Sequence, residues 1–260
     1  MEFFMYPYAI IGDIGLYEIF LALGILTAFI VYRFTADKLH MSARLFNFTL
    51  ICAVCAITVG IFSSIFVQAL YNIEERGAFI IDKETGATFA GGLIGGAAAF
   101  LAIYFIFGKK ADKAYISKTS LIADCAACAI PAAHALGRIG CLMAGCCYGH
   151  KTDSFIGIYM QNLGYKVVPT QLFEAIFLAA LAVFNIIFLI KHKKYTMCIY
   201  LASYGVWRFF IEFIRADDRG TSFLPFLTPS QIIAVLFVIG SVVLFLIQRC
   251  VYAKRAAQND

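Results

Sequence analysis

Seven runs of apolar residues, each close to the length that crosses a lipid bilayer, dominate this chain of 260 residues. A transmembrane helix needs about 20 mostly apolar residues, because the hydrocarbon core of a bilayer is about 30 Å thick. The sequence therefore predicts an all-α integral membrane protein with seven transmembrane helices in a single domain, 1–260. The runs lie near 16–32, 46–71, 88–107, 121–136, 172–190, 197–214 and 230–248.

The amino-acid composition agrees with this fold class. Hydrophobic residues make up 62% of the chain and charged residues 14%, against roughly 45–50% and 25% in soluble domains. A soluble globule of this length would not bury so much apolar surface. The composition excludes a disordered chain, a secreted disulfide scaffold and an ordinary cytosolic enzyme. We interpret the net charge of +5 as a topology signal and expect no nucleic-acid partner.

The distribution of Lys and Arg over the loops predicts the orientation of the chain. Loops on one side carry 13 of the 21 Lys and Arg residues, and the longer loops on the other side carry 7, including Lys83 and Arg219. The positive-inside rule then places the N-terminus outside and the C-terminus in the cytoplasm. The segment 1–13 has no Lys or Arg, so we expect no cleavable signal peptide.

Ionisable residues recur on one face of the sixth apolar run. Tyr204, Arg208 and Glu212 are spaced four residues apart, and Arg215 continues the same face. Charges inside a membrane are costly and are usually functional. Either Arg208 and Glu212 form a structural ion pair, or this face binds an anionic head group through guanidinium groups, whose planar fork matches a phosphate.

Further polar groups stand toward the outer ends of other runs. Each alone is typical of hydrogen bonding between helices, and together they predict a polar cavity open to the outer side. Gly91 and Gly92 begin a glycine-rich stretch that suits close helix packing or close approach of a lipid to the backbone. The polar residues are Tyr17, Glu18, Gln68, Asn72, Gln171 and Glu174.

The longest outer loop is expected at 137–170, and loops of that length usually have a function. Arg138 stands there among glycines, as a phosphate-binding residue would. Cys141, Cys146 and Cys147 follow, and a structural disulfide, a reactive thiol, a soft-metal site and inert packing all remain open for them. Their spacing matches no zinc motif, so we expect no metal ion.

Motifs built on these residues resemble those of the prolipoprotein diacylglyceryl transferases, from about residue 17 to residue 231. The resemblance implies that the chain moves a diacylglyceryl group from phosphatidylglycerol to the cysteine thiol of a preprolipoprotein lipobox, with glycerol phosphate as leaving group. It also implies a bacterial cytoplasmic membrane, a site facing the outer side, membrane lipids as partners and no cofactor. The motifs are Phe89-x-Gly91-Gly92, Gly137-Arg138-Ile139-Gly140, Pro169-x-Gln171-Leu172-x-Glu174 and Tyr204-Gly205-x-x-Arg208.

The same resemblance implies roles for individual residues. Arg138 would bind the phosphate of phosphatidylglycerol, Arg208 would stabilise the charge that develops on it, and Glu212 would orient Arg208. Tyr17 matches a family tyrosine near the cavity and completes the catalytic set. The residues implied in substrate binding are Arg138, Arg215, Gly91, Gly92, Gln171, Glu174 and Tyr204.

The chain departs from the family pattern at several positions. Ala90 stands where the family has a histidine that is a proposed base, and Cys141, Ala144 and Cys146 replace two asparagines and a glutamate. His134 and His150 are candidate replacements for the base. Two alternative functions therefore stay open: a transferase with a different acceptor, in which Cys146 or Cys147 is a thiol nucleophile, and a non-catalytic protein that binds or transports anionic lipid.

Overall fold

The computed structural model describes residues 15–82, 85–216 and 226–256. The segment 1–13, Lys83 and Arg219, on which some of the predictions rest, lie outside the described residues. Within the described part of the chain, seven helices are long and apolar enough to cross a membrane, which confirms the predicted number.

Nine α-helices, a 3-10 turn and one β-hairpin make up the described structure. The long helices are α1 (Leu16–Lys38), α2 (Ala43–Tyr71), α4 (Phe89–Ala111), α6 (Thr119–Met143), α7 (Thr170–His192), α8 (Thr196–Ile211) and α9 (Pro229–Ala256). Two short helices are α3 (Ile73–Arg76) and α5 (Lys113–Ser117), the 3-10 turn is Glu212–Ile214, and the strands are β1 (Ile158–Met160) and β2 (Tyr165–Val167).

Helix α6 differs most from its predicted bounds. It continues past residue 136 to Met143, so the first seven residues of the predicted loop 137–170 are helical. Their glycines and Arg138 look like loop residues in a hydropathy profile. In the structure, however, half of the α6 span is buried, and Arg138 is only 7% exposed. Polar side chains extend the helix because they point into protein rather than lipid.

The hairpin in the following segment was not predicted. Strands β1 and β2 pair antiparallel with Ile158 opposite Val167, and Gly164, at φ +75°, helps to close the turn between them. Each strand has only three residues, which is too short for an alternating pattern to stand out. Beside the hairpin, Gly149 forms an isolated β-bridge with Arg215.

The described structure contains two compact units. The first consists of the described residues of Met1–Leu39 and Ala123–Asp260. Its apolar core joins α6, α7 and α8, and Asn185 of α7 donates a 2.8 Å hydrogen bond to the carbonyl of Ala127 in α6. The core residues are Ala127, Ala135, Leu178, Leu181, Tyr200 and Tyr204.

The second unit is His40–Ile122, in which α2 and α4 pack along most of their length. Small residues make this close approach possible: a Cβ atom at Gly91 would lie 2.9 Å from the carbonyl oxygen of Ser63, and one at Gly60 would lie 3.0 Å from the carbonyl oxygen of Gly92. The glycines of α4 therefore allow this close packing.

Candidate active site

Five charged side chains meet inside the first unit. All five are between 1% and 8% exposed, although three of them are arginines. They come from three helices and the turn after α8, so their contacts join segments that are distant in sequence. The five are Arg138 of α6, Glu174 of α7, Arg208 of α8, and Glu212 and Arg215 of the 3-10 turn and its C-cap.

Glu174 is the centre of the cluster. Its Oε2 lies 2.7 Å from Nη2 of Arg138 and 3.7 Å from Nη1 of Arg208. Its Oε1 accepts a 2.9 Å hydrogen bond from the hydroxyl of Tyr204. One buried carboxylate thus fixes two guanidinium groups and a phenol, which holds the side chains of α6, α7 and α8 in one geometry.

Glu212 organises the other half of the cluster. Its Oε2 lies 2.8 Å from Nη2 of Arg208 and 3.9 Å from Nε of Arg215, and its Oε1 accepts a 2.9 Å hydrogen bond from Thr228. The Arg208 guanidinium also donates to Oγ of Ser230 at 2.9 Å. Arg208 is therefore held from two sides, by Glu174 and by Glu212 with Ser230.

Helical periodicity explains why these groups converge. Tyr204, Arg208 and Glu212 lie one turn apart, so one face of α8 and its 3-10 extension presents all three to the cluster, as predicted. Arg215 follows in extended backbone, and the loop at Gly149 packs against it. A Cβ atom at Gly149 would lie 2.9 Å from the carbonyl oxygens of both Ile214 and Val168, so only glycine fits there without a shift.

Two donors of the cluster, Nε of Arg138 and Nη1 of Arg208, are buried and have no hydrogen-bond partner among the described residues. Both belong to guanidinium groups whose other atoms are held by buried carboxylates. Unmet buried donors are costly, and an anionic ligand would satisfy them.

The three cysteines lie where α6 ends and the loop begins. Cys141 is helical, which corrects its expected place in a loop, and its Sγ lies 3.7 Å from Nη1 of Arg138. The Sγ atoms of Cys141, Cys146 and Cys147 all lie within 4.8 Å of one another. No disulfide joins cysteines within the described part of the chain. This group of thiols is the place where the described residues offer several metal-ligating atoms together.

The environment of Cys146 keeps it protonated. Hydrogen bonding with the thiols of Cys141 and Cys147, together with partial burial, raises the pKa of Cys146 well above its usual range. Its thiol also donates to the carbonyl of Cys141 at 3.6 Å.

The remaining predicted site residues occupy different positions. Tyr17 packs against Gly140, with its ring 3.3 Å from the place where a Cβ atom of that glycine would stand. Gln171 is buried and donates to the carbonyl of Cys146 at 2.6 Å. His134 stacks edge-on against the Tyr204 ring at 5.3 Å, whereas His150 is an exposed loop residue.

Three polar residues expected at the cavity make hydrogen bonds close to their own helix ends. The carboxylate of Glu18 accepts from the backbone N–H of Gly15 and caps α1. Gln68 donates to Asn72, which in turn donates to the carbonyl of Thr85. These two and the glycines Gly91 and Gly92 belong to the second unit, apart in sequence from the charged cluster.

Sequence reasoning missed several residues that hold the site. Ser230 and Thr228 bind Arg208 and Glu212, and Asn162 and Thr170 bind the carbonyls of the cysteine loop. The Thr-Pro pair at 228–229 is a helix-start signal, so the position of Thr228 near a helix end could be read from the sequence. Serine and asparagine in a loop give no comparable signal.

Comparison with known proteins identifies the family of this chain. The family model for prolipoprotein diacylglyceryl transferase matches residues 8–247. A phosphatidylglycerol–prolipoprotein diacylglyceryl transferase 2 of Clostridium perfringens is 31% identical over 251 residues, which are 94% of each chain. A phosphatidylglycerol–prolipoprotein diacylglyceryl transferase of Clostridium tetani is also 31% identical, over 90% of this chain and 92% of its own.

A third relative with the same name, from Dehalococcoides mccartyi, is 30% identical over 94% of this chain and 92% of its own. The match covers the five charged residues of the cluster and the cysteine loop, since all of them fall within 8–247. These findings confirm the resemblance seen in the motifs and make the chain a transferase. The chain belongs to the prolipoprotein diacylglyceryl transferase family.

Proposed function

We propose that this chain transfers the diacylglyceryl group of phosphatidylglycerol to the cysteine thiol of a prolipoprotein lipobox. The names of its relatives state this donor and acceptor class for those proteins. The observation that carries the proposal to this chain is a pair of buried guanidinium groups, Arg138 and Arg208, each with a donor that has no partner among the described residues.

The phosphodiester of phosphatidylglycerol fits those donors. A phosphate oxygen at Nε of Arg138 would satisfy a buried donor, while Glu174 keeps the guanidinium in place at 2.7 Å. Arg208 would then stabilise the charge that grows on the leaving phosphate, oriented by Glu212 at 2.8 Å. Preorganised donors of this kind accelerate a reaction because they need not rearrange as charge develops.

The reaction is a substitution at carbon. The acceptor sulfur forms a bond to the carbon of the diacylglyceryl group that bears the phosphate, and the bond from that carbon to the phosphate oxygen breaks. Glycerol phosphate leaves with the electron pair of that bond, and the proton that the thiol loses passes through solvent to the leaving phosphate. The product is a thioether, and no redox change occurs.

The proposal includes the orientation predicted from the loop charges. The N-terminus lies outside and the C-terminus in the cytoplasm, in a bacterial cytoplasmic membrane, so the charged cluster faces the outer side. The support is the split of 13 against 7 Lys and Arg residues between the two sets of loops. On that side, the cluster would meet lipobox cysteines of exported precursors.

A reconstituted assay of the full-length protein tests the function. The donor is phosphatidylglycerol or, as a control, zwitterionic phosphatidylethanolamine, and the acceptor is a lipobox peptide with cysteine or with serine at the modified position. We expect a mass gain of one diacylglyceryl group only with phosphatidylglycerol and the cysteine peptide. Equal transfer from both lipids, or no transfer although the protein binds phosphatidylglycerol, would contradict the proposal and favour another donor or a lipid-binding role.

A further inference from the structure

The three thiols at the end of α6 form a cluster that neither the ion pairs nor the proposed phosphate site uses. The Sγ atoms of Cys141, Cys146 and Cys147 lie within 4.8 Å of one another. A zinc ion with Zn–S distances of about 2.3 Å holds tetrahedrally placed sulfurs about 3.8 Å apart. The three atoms therefore need to close by at most about 1 Å, within reach of small side-chain rotations.

The loop that carries two of these thiols is held at three successive carbonyl groups. Asn162 Nδ2 donates to the carbonyl of Gly145 at 2.9 Å, Gln171 Nε2 to that of Cys146 at 2.6 Å, and the Thr170 hydroxyl to that of Cys147 at 2.8 Å. Cys147 itself adopts a left-handed φ of +65°, which is unusual for a residue other than glycine. Such strain persists only where the surroundings impose it, and it often marks a functional position.

The charge next to the thiols also suits a metal site. A divalent cation bound by three thiolates carries a net charge of −1. The Arg138 guanidinium, whose Nη1 lies 3.7 Å from Cys141 Sγ, places a positive charge next to that anion in addition to its ion pair with Glu174. Hydrogen bonds and charges next to the ligands tune metal sites in this way.

From this geometry we propose that Cys141, Cys146 and Cys147 bind a thiophilic divalent cation, of which Zn²⁺ is the probe of choice, in a site with three protein ligands. Zinc sites with three protein ligands keep a fourth position for a solvent molecule or a substrate. Cys146 is exposed, so that position is open to molecules from outside the protein. A thiol from another molecule fits this fourth position, because it would add a fourth sulfur ligand to the three thiolates.

The second part of the inference rests on the proposed function. Transfer to a thiol requires a thiolate, and both carboxylates of the cluster are already tied to arginines. Coordination to the cation deprotonates a thiol, so the fourth position holds the acceptor cysteine as a thiolate beside Arg138. Three protons are released when the metal binds and one when the acceptor binds, and nothing is oxidised.

Cobalt(II) replaces zinc as a spectroscopic probe in the test. The full-length protein is purified in detergent under a reductant that does not bind metals, and Co²⁺ is titrated with optical detection. We expect one equivalent to bind with a sulfur-to-cobalt charge-transfer band and the d–d bands of a tetrahedral site. A lipobox peptide with cysteine should raise the charge-transfer intensity by about one third, because four thiolates replace three, and the serine peptide should leave it unchanged.

Variants assign the ligands. Cys141→Ser, Cys146→Ser and Cys147→Ser should each weaken Co²⁺ binding by at least about tenfold, the effect that even outer-shell changes have on metal sites. Cys250→Ser removes another exposed thiol and should leave affinity unchanged. In the unsubstituted protein, Zn²⁺ should protect Cys146 from alkylation, a result that does not depend on how well any variant folds.

Three results would overturn the metal site: Co²⁺ bound without the charge-transfer band, equal losses in Cys250→Ser and the three ligand variants, or a disulfide among the three cysteines with no Co²⁺ uptake after reduction. Lipid transfer by metal-free protein would overturn the second part alone and leave the proposed function intact. A thiolate-bound Co²⁺ in a protein without transfer activity would instead remove the proposed function and leave the metal site.

Discussion

Glu174 holds Arg138 and Arg208 with one oxygen and Tyr204 with the other, so the site depends on one buried carboxylate. Removing one partner of a buried ion pair costs about 3–5 kcal/mol, because the other charge stays buried and uncompensated. The hydrogen bond from a neutral hydroxyl to a charged group contributes less, about 1.5–3 kcal/mol. Glu174 is therefore expected to contribute more to the free energy of unfolding than the hydroxyl of Tyr204.

That ranking gives a stability prediction. Glu174→Gln should lower the free energy of unfolding by about 3–5 kcal/mol, and Tyr204→Phe, which removes only the hydroxyl, by about 1.5–3 kcal/mol. Thermal unfolding of both variants in detergent measures the difference. A Tyr204→Phe variant that is less stable than Glu174→Gln would show that the carboxylate is not the centre of the cluster.

The arginines should matter for activity more than for insertion into the membrane. Arg138→Ala and Arg208→Ala should each lower the rate of lipid transfer by about 100-fold or more, the usual effect of losing a preorganised donor to a developing charge. Lysine should rescue poorly at either position, because it supplies a point charge in place of a planar fork.

The matched control for this pair is Arg33→Ala. Arg33 also forms an ion pair, with Asp37 at 2.9 Å, but its side chain is 49% exposed, and exposed pairs contribute little. Membrane levels, measured by immunoblot, should be the same in all three variants. Full activity of Arg138→Ala or Arg208→Ala at normal membrane level would remove that arginine from the mechanism.

At the scale of single residues, the sequence predicts members of the site but not their partners. Tyr204, Arg208 and Glu212 could be grouped because helical periodicity places them on one face. The pairing of Arg138 with Glu174 joins residues on two helices, and no local pattern encodes such a contact. Glu18 caps the start of α1, a role that a carboxylate in the first turn of a helix often has.

At the scale of elements, the number of transmembrane helices follows from hydropathy, but the end of α6 does not. Helix α6 carries its polar residues into a protein interior, where a hydropathy profile has no means to distinguish them from a loop. The hairpin of β1 and β2 was not predicted either, for a different reason. The loop beside it pairs at Gly149 with Arg215, and local sequence does not encode such tertiary contacts.

Gly149 connects this loop to the charged cluster. Gly149→Ala places a Cβ atom 2.9 Å from two carbonyl oxygens, which should lower the free energy of unfolding by about 1–3 kcal/mol and reduce lipid transfer by displacing Arg215. Gly240→Ala is the control, because no heavy atom lies within 4 Å of its Cβ position. Alanine within a helix is more stable than glycine by about 0.5–1 kcal/mol, so this variant should unfold at a slightly higher temperature. Equal unfolding temperatures for the two variants would contradict the close approach.

At the scale of the whole molecule, the loop charges predict which way the chain crosses the membrane. With the N-terminus outside, a probe at Thr152 lies outside the cell and a probe at Lys193 lies in the cytoplasm. Thr152→Cys should gain labelling by an impermeant maleimide in intact cells, above that of the unsubstituted chain, and Lys193→Cys should gain it only after the cells are opened. The reverse pattern would place the charged cluster on the cytoplasmic side and contradict the proposed orientation.

No linker or change of composition in the sequence marks the two compact units. Residues 40–122 form the second unit, and the helices at its ends look like the others in hydropathy. The family match, by contrast, extends across both units and was visible in the motifs, because these motifs are short and keep their order along the chain.

The most direct test of the account is complementation of a bacterium depleted of its own diacylglyceryl transferase. The full-length chain should restore growth, and mass spectrometry of a reporter lipoprotein should show a diacylglyceryl thioether on the lipobox cysteine. Arg138→Ala should restore neither, whereas Arg33→Ala should restore both. An unmodified reporter in cells that hold normal membrane levels of the unsubstituted chain would contradict the proposed activity.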